Sequence, residues 1–385
     1  MHRRRLLEVL SSTIMTGFPA GGEAKTSSVV VAGAGIIGAS IAFHLAKRGA
    51  RVTVLEKLRP GSGATGKSFA WINSTFSKQP RSYYELNSLG IAGWRRLQLE
   101  LGAELQVQWG GSVDWYPSGA EADELRRAVQ RHQQWGYATH IVQEAEFHRL
   151  LPRISAGPLG VACFSEPEGT VDPMHALGVL LKKAQQFGAR LEYPCEVTGF
   201  TLANDRVRAL ETTQGPIAAD VVVLATGVDT TRLARLAGVN VPLKESPGVL
   251  AHTTPQERML DRVALAPGAH IKQNPDGRIV TGSGFSGSPV TDTSKEFGVK
   301  LLRNASRFLA RLKDVPLESV TLGHRVLPQD EFPIIGFCER CPNLYIAAMH
   351  SGITLSTLVG QLAATEILDG ITVELLKPYR PSRFA

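Results

Sequence analysis

With 385 residues, 43% of them hydrophobic, the chain is long enough for a globular protein with sizeable cores, and its length favours two domains, with a single large domain as the alternative. The net charge of +7 at pH 7 arises from basic residues scattered among acidic ones, which argues against a nucleic-acid surface. The 38 glycines and 22 prolines follow no repeat period and no run of about 18 apolar residues occurs, so solenoid, collagen-like and membrane-spanning classes are excluded.

Residues 1–26 differ in character from the rest of the chain and predict a disordered tail. The arginines Arg3–Arg5 are similar to those of a twin-arginine export signal. The apolar stretch behind them is short and is interrupted by Glu8 and Ser11, which is untypical of a signal peptide. A tail, or a true start near Met15, is therefore favoured, with a cytoplasmic location expected and export as the alternative.

The first predicted unit is a strand, a helix and a second strand. Residues 28–32 form a β-branched apolar run typical of a buried parallel strand. An amphipathic helix is predicted over 36–47, with Gly49 just past its end. Residues 51–55 predict the second strand, which completes a βαβ unit.

The turn that opens this helix carries the glycines of a dinucleotide-binding motif. Gly33 permits the sharp turn, Gly35 lets a pyrophosphate approach the backbone, and Gly38 lets the helix pack close to the sheet. The helix N-terminus offers unpaired N–H groups to the phosphates. Glu56 ends the second strand and is placed to bind a ribose 2′-OH, while its charge argues against NADP.

Two motifs follow in the first half of the chain. A small-residue loop over 61–73 comes directly after Glu56. The segment Glu168–Pro173 opens an apolar helix predicted over 174–187, which Thr170 or Asp172 is able to cap.

Two further motifs lie in the second half. Residues 219–227 predict a buried strand that ends in Ala225-Thr226-Gly227. Residues 343–352 predict a strand and a turn, and a helix follows over 353–368. The single CxxC formed by Cys338 and Cys341 has no second pair to complete a zinc site, so incidental thiols are favoured over a redox pair.

The intervening segments have another pattern, which predicts an antiparallel sheet with helices. Asn274–Gly277 is a strong hairpin signal. The predicted elements are a helix over 121–135, strands over 243–252, 268–273 and 278–282, and a long amphipathic helix over 293–312.

These motifs together resemble the family of D-amino-acid oxidase, glycine oxidase and sarcosine oxidase, over about residues 27–370. The resemblance implies an α/β fold with a Rossmann-like FAD-binding domain in discontinuous segments and an antiparallel-sheet substrate domain over the flavin face. The FAD-binding segments are 27–84, 151–240 and 321–385, and the substrate domain takes 85–150 and 241–320. Nucleotide-binding parts at both ends argue against a simple NAD dehydrogenase.

The resemblance implies FAD as the cofactor, with the N-terminus of the last helix at the flavin pyrimidine edge. There the helix dipole would stabilise negative charge on the reduced ring. Since no cysteine lies between 196 and 337, where sarcosine oxidase attaches its flavin, a non-covalent cofactor is expected. The expected FAD-binding residues are Gly33, Gly35, Ile36, Ile37, Gly38, Glu56, Lys57, Gly63, Ala64, Thr65, Lys67, Ser68, Val197, Ala225, Thr226, Gly227, Ser351, Gly352, Ile353 and Thr354.

Arg325 and His350 are the catalytic candidates. The segment Gly323–Pro328 is similar to the family's G-x-R-P motif, so Arg325 is expected to clamp a substrate carboxylate, although Val326 replaces the usual proline. An ion-paired or structural arginine is the alternative. His350 is expected beside the flavin, or else as a packed neutral residue.

Two further histidines, His252 and His270, are inward candidates on the predicted strands. The sequence does not identify an oxygen-activating lysine, so oxidase and dehydrogenase both stay open.

The implied reaction is FAD-dependent oxidation of the C–N bond of an amino acid or secondary amine to an imine. A hydride equivalent passes to flavin N5, the imine hydrolyses, and oxygen or another acceptor reoxidises the flavin. The main alternative is the flavin subunit of a multi-subunit amino-acid dehydrogenase, which passes electrons to a partner protein. A homo-oligomer is a further possibility, and a non-catalytic FAD-binding protein is the least favoured alternative.

Overall fold

The computed structural model describes residues 27–76, 78–284 and 290–385. The predicted tail over 1–26 lies outside the described residues. No helix in the described ranges combines the length and hydropathy needed to cross a membrane.

The helices and strands fall into two main sheets and the helices that pack on them. The strands are β1 Ser28–Ala32, β2 Arg51–Leu55, β3 Trp71–Ile72, β4 Ser112–Tyr116, β5 Thr139–Ile141, β6 Val161–Ser165, β7 Gly169–Thr170, β8 Arg190–Glu192, β9 Val197–Ala203, β10 Arg206–Thr212, β11 Ile217–Ala218, β12 Val221–Leu224, β13 Leu243–Lys244, β14 Pro247–Thr253, β15 Val263–Ala266, β16 Ala269–Gln273, β17 Ile279–Gly282, β18 Leu317–His324, β19 Leu327–Pro328, β20 Ile334–Phe337 and β21 Leu344–Ala348. The helices are α1 Ile36–Lys47, α2 Arg81–Leu101, α3 Ala120–Gln134, α4 Glu144–Leu150, α5 Pro173–Gln186, α6 Thr230–Leu236, α7 Lys295–Ser306 and α8 Gly352–Asp369.

The first sheet has six strands in the order β20-β21-β12-β1-β2-β8. All pairs are parallel except β20 with β21. Helices α1, α2, α5 and α8 cover one face, and α6 with the small β9–β11 sheet covers the other. Since both faces are buried, β1 reads as the continuous apolar run predicted for it. The Rossmann-like α/β class is confirmed.

The predicted bounds of α1, residues 36–47, are confirmed. Gly33 adopts φ +102°, and a Cβ there would lie 2.4 Å from the carbonyl oxygen of Ala225. A Cβ at Gly38 would lie 2.0 Å from the carbonyl oxygen of Gly33. Both positions therefore require glycine, for the turn and for close packing of helix on strand.

The second sheet has eight strands in the order β18-β14-β17-β16-β15-β4-β6-β5. The predicted hairpin turn joins β16 to β17, and the Gly277 amide donates to the Asn274 carbonyl at 3.0 Å. The sheet is not wholly antiparallel as expected, because β15 pairs with β4 in parallel. Residues of this mixed sheet and of the first sheet line the same cavity, which is described below.

The predicted strand over 243–252 is wrong in one respect, because it divides at Ser246. β13 pairs with β19, whereas β14 pairs with β18 in the second sheet. The Ser246 carbonyl between them accepts the Arg325 amide at 2.9 Å, so the chain changes sheets at that point. The predicted strand over 219–227 is also shorter, since residues 225–227 form the turn after β12.

The predicted helix over 293–312 begins at Lys295 and ends at Ser306. Ser294 caps its start, with Oγ accepting the Phe297 amide at 3.2 Å. The helix stops where the amides of Phe308 and Leu309 both donate to Ala305. That tight turn buries Phe308 and Leu309 in the core of the second sheet, and a 3₁₀ segment follows.

The predicted domain limits and the sheets do not coincide everywhere. Helix α2 packs on α8, which covers the first sheet, although residues 85–150 were expected in the substrate domain. Strand β6 belongs to the second sheet, although residues 151–240 were expected in the FAD-binding domain. The division into two domains stays a prediction.

Candidate functional site

One cavity of about 480 Å³ runs from the turn after β1 to the second sheet. It opens at the carboxyl ends of β1, β2, β12 and β21. Strand β1 lies between β2 and β12. The strands that follow β1 in the chain are therefore added on both of its sides, and the direction in which the sheet grows reverses at β1. Open α/β sheets bind ligands at such a switch point. The volume lies in the usual range of small-molecule sites, about 300–1,000 Å³.

The turn after β1 is held against the end of β2 by Glu56. Its carboxylate accepts the Ala34 amide at 3.1 Å and the Leu58 amide at 3.0 Å. A Cβ at Gly35 would approach only the Thr65 hydroxyl, at 3.2 Å, so this glycine leaves space on its cavity side. The expected approach of a pyrophosphate to the backbone at Gly35 is compatible with this geometry.

The small-residue loop after β2 is a compact turn against the start of α1. The Thr65 hydroxyl accepts the Ile36 amide at 3.0 Å. The amides of Gly66, Lys67 and Ser68 donate to carbonyls of the same turn. Residues of this loop were expected to bind FAD, and these three backbone amides are already used within the loop.

The cavity wall beside β2 and β8 contains ion pairs. Lys57 pairs with Asp229, and Arg232 pairs with Glu196 at 3.3 Å. Cys195 also lines this part of the cavity. The acidic side chains in this wall therefore have partners of their own.

Arg325 lies in the cavity wall on the side of the second sheet. Its Nη1 donates to the Pro247 carbonyl at 2.5 Å, and Nη2 donates to the Gly284 carbonyl at 3.5 Å. A Cβ at Gly248 would lie 2.7 Å from Nη2, so glycine lets the guanidinium lie against β14. Within the described ranges Arg325 has no ion pair with a carboxylate, so the ion-paired alternative is not what the structure shows.

His350, at the end of β21, also lines the cavity. Burial, with the charges of Lys78 and Arg325 acting in the same direction, lowers its pKa to about 3. The imidazole is therefore neutral at physiological pH. His270 lines the cavity as well, and burial lowers its pKa to about 3.

The remaining wall at this end is apolar and aromatic. Phe69, Trp71, Phe76 and Leu250 line it and belong to one hydrophobic cluster. Such a surface excludes water from the space beside Arg325 and His350.

Lys78 is a cavity residue that the sequence analysis missed. Its side chain is buried, and Nζ donates to the Ser351 hydroxyl at the start of α8. No sequence motif marks this lysine, because it follows β3 in an irregular segment. A second buried lysine, Lys272, donates to the Val171 carbonyl at 2.8 Å and lies outside the cavity wall.

Glu168 was expected only as the first residue of a helix-capping motif. In the structure it is fully buried, and its carboxylate accepts five hydrogen bonds. The donors are Trp71 Nε1, the Ser74 amide and the hydroxyls of Thr75, Ser112 and Tyr137. The carboxylate thereby ties the segment after β3 to β4 of the second sheet. Asp172, in the same motif, caps α5 as predicted.

The cavity contains all the residues expected to bind FAD except Gly38 and Thr354. Gly38 acts in packing, and the Thr354 hydroxyl accepts the Asn73 amide at 3.1 Å. His252 lies elsewhere, with Nε2 at 2.9 Å from the Thr321 hydroxyl. Cys338 and Cys341 are buried free thiols in the core under the first sheet. Across the described residues, no His, Cys, Asp or Glu cluster has metal-site geometry.

A family model described as FAD-dependent oxidoreductase (DAO) matches residues 28–366. The chain is 27% identical to glycine oxidase of Geobacillus kaustophilus, covering 92% of this chain and 96% of that protein. It is 24% identical to mitochondrial sarcosine dehydrogenase of Homo sapiens, covering all of this chain and 44% of that longer protein.

Solved structures are similar over nearly the whole described chain. L-proline dehydrogenase from P. horikoshii superposes with a TM-score of 0.83 and 26% identity, over 93% of this chain and 98% of that chain. Glycine oxidase from Geobacillus kaustophilus superposes with a TM-score of 0.83 and 25% identity, over 93% of this chain and 99% of that chain.

Proposed function

The chain belongs to the family of FAD-dependent oxidoreductases, and on that premise we propose that it oxidises the C–N bond of an amino acid or a secondary amine. The relatives named glycine oxidase, sarcosine dehydrogenase and L-proline dehydrogenase support this class of substrate. The single observation that carries the proposal is Arg325, a guanidinium in the cavity wall without a carboxylate partner among the described residues.

The cavity fits FAD at the phosphate end. Gly35 leaves its cavity side open, α1 directs its N-terminus there, and Glu56 is placed at the end of β2 for a ribose. The cofactor is held without a covalent bond. The cysteine of the cavity wall, Cys195, lies next to Glu56, with its amide donating to the Glu56 carbonyl at 2.7 Å, and the His350 end has no described cysteine in its lining.

Arg325 binds the substrate carboxylate. A guanidinium has five N–H donors, and two of its nitrogens each use one donor on backbone carbonyls here. The other donors suffice for two parallel hydrogen bonds to a carboxylate, the strongest geometry for this pair. FAD supplies the two-electron chemistry when it is bound, and the protein orients the substrate C–H bond toward it.

The surroundings of Arg325 suit the amine end of the substrate. His350 and His270 are neutral, and the acidic residues in the cavity lining are Glu56, Glu196 and Asp229, all of which have partners. The amine therefore meets no free carboxylate in the described wall, which favours the neutral amine that the reaction requires. Phe69, Trp71 and Phe76 keep water away.

The test is an anaerobic reduction screen. Purified protein reconstituted with FAD is mixed with glycine, D-amino acids, L-proline and N-methyl amino acids, and the flavin absorbance is followed. Loss of the oxidised-flavin spectrum with at least one of them is expected. A flavin that stays oxidised with every amine and amino acid contradicts the proposal.

The likeness to L-proline dehydrogenase supports a second candidate, in which the electrons pass to a partner protein instead of oxygen. Reduced protein that reoxidises slowly in air and rapidly with an artificial dye acceptor would favour this dehydrogenase. Fast reoxidation in air with release of hydrogen peroxide would favour the oxidase.

A further inference from the structure

Lys78 is a buried cation without a carboxylate partner. Its residue exposure is 4%, and among the described residues it forms no ion pair. Nζ donates to the Ser351 hydroxyl and lies 5.2 Å from the centroid of the Tyr83 ring. Burying an ammonium group is costly unless something negative compensates it, and one hydroxyl and one ring do so weakly. Burial lowers the pKa of Lys78 to about 8, and the charge of Glu168 opposes that change.

The ammonium lies where α8 begins. Ser351 has φ +60° and does not cap the helix with its side chain. Its hydroxyl instead accepts from Lys78 and, at 3.2 Å, from the Tyr83 hydroxyl. Ser351, Gly352 and Ile353 line the cavity, so the first turn of α8 presents its N-terminal end to whatever the cavity holds.

This end of the cavity carries positive charge that is in no ion pair among the described residues. Lys78 and Arg325 line the cavity together with the neutral His350, and the charges of both lower the pKa of that imidazole. Every acidic residue of the cavity wall is engaged elsewhere, as described above for Glu56, Glu196 and Asp229. Arg325 takes the substrate carboxylate in the proposed function. A second anionic charge is therefore needed to account for Lys78 and the start of α8.

Resting on the proposed function, we propose that the Lys78 ammonium, together with the first turn of α8, stabilises the negative charge that the flavin ring gains on reduction. A ring that accepts a hydride equivalent from the substrate C–H bond, and no further proton, gains one net negative charge. A cation fixed beforehand in a water-poor cavity stabilises that charge without reorganisation. Lys78 is in this account a catalytic residue that raises the reduction potential of the bound flavin.

The main experiment measures the flavin itself, and KM is measured in addition for Lys78→Met. Wild-type protein with bound FAD is compared with Lys78→Met, Lys78→Gln and Lys78→Arg. The matched control is Lys272→Met, because Lys272 is equally buried and lies outside the cavity wall. Two quantities are recorded for each protein: the two-electron midpoint potential against a reference dye under reducing titration, and the affinity of the oxidised flavin for sulfite.

Loss of the charge is expected to weaken sulfite binding about tenfold, as for a lost hydrogen bond to a charged group. The same factor corresponds to a fall of about 30 mV in the midpoint potential of a two-electron couple. Lys78→Met and Lys78→Gln should show both changes, whereas Lys78→Arg should lie close to wild type and Lys272→Met should be unchanged.

Three results would overturn the assignment. In the first, neither Lys78→Met nor Lys78→Gln changes the potential. In the second, Lys272→Met changes it as much as Lys78→Met does. In the third, Lys78→Met raises KM for dicarboxylic substrates at an unchanged potential, which would make Lys78 a substrate-binding residue. A wild-type protein that holds no FAD would instead refute the proposed function, so the two failures are distinguishable.

Discussion

Replacing Arg325 by methionine tests how the substrate is held. Methionine keeps an unbranched side chain of moderate length but removes the donors that we assign to the substrate carboxylate. Two charge-assisted hydrogen bonds contribute about 1.5–3 kcal/mol each. Part of this is recovered when water solvates the carboxylate, so a net loss of about 3 kcal/mol is expected. That corresponds to a fall of at least about 100-fold in kcat/KM for carboxylate-bearing substrates.

The assay is the anaerobic rate of flavin bleaching as a function of substrate concentration in a stopped-flow instrument. An N-methyl amine without a carboxylate serves as the internal comparison, because its rate should change little in the variant. The control variant is Arg278→Met, whose guanidinium is held by Glu318 and Asp276 outside the cavity wall. It should leave the rates for both substrates close to wild type.

The reasoning is refuted if Arg325→Met retains the wild-type ratio of kcat/KM between carboxylate-bearing and carboxylate-free amines. A variant that loses FAD altogether would not show this ratio. For that reason Arg325→Lys is measured beside it, since lysine keeps the charge and lacks the two-donor geometry. Its kcat/KM should lie between those of wild type and the methionine variant.

Further predictions concern packing and protonation. Gly248→Ala places a Cβ 2.7 Å from Arg325 Nη2, so it should raise KM for amino acids about tenfold or more while leaving FAD affinity unchanged in a flavin-binding titration. Glu168→Gln replaces a buried carboxylate that accepts five hydrogen bonds, so the free energy of unfolding measured in urea should fall by about 2–4 kcal/mol. The control, Glu166→Gln at an exposed neighbouring position, should change it by less than about 0.5 kcal/mol. The pKa of His350 is about 3 in the folded protein, against an ordinary value of 6.5. Between pH 3 and pH 6.5 the histidine therefore takes up a proton when the protein unfolds, so the free energy of unfolding falls as the pH drops below 6.5. His350→Gln should reduce that slope by up to about 1.4 kcal/mol per pH unit, and an unchanged slope in unfolding experiments between pH 4 and 6.5 would contradict the neutral buried histidine.

The first βαβ unit was predictable because its determinants are local. All of its determinants lie within about 30 residues and act on the backbone of the same unit. They are the apolar run of β1, the glycines at 33, 35 and 38, and the acid at 56. The turn at Asn274–Gly277 was predictable for the same reason. Patterns of this kind need no knowledge of the rest of the chain.

Other features depend on distant parts of the chain, and the sequence pattern did not indicate them. The segment 243–252 was predicted as one strand, yet it divides because its two parts pair with different strands far along the chain, β13 with β19 and β14 with β18. Helix 293–312 keeps its helical period past Ser306, but the core of the second sheet takes up Phe308 and Leu309 in a tight turn.

The candidate site shows the same division. Residues in motifs, such as Arg325 and His350, were found from the sequence and lie in the cavity wall. Lys78 and Glu168 were missed as site residues because their roles arise from contacts between separate segments. Lys78 meets the start of α8, and Glu168 collects donors from three parts of the chain. A buried charge of this kind leaves no periodic signal in the sequence.

The most direct measurement is a crystal structure of the FAD-loaded protein with a bound carboxylate inhibitor such as benzoate. The account predicts the FAD pyrophosphate against Gly35 at the start of α1, and both inhibitor oxygens about 2.8 Å from the guanidinium nitrogens of Arg325. A carboxylate bound away from Arg325, or a cavity that takes up a nicotinamide dinucleotide and no FAD, would contradict it.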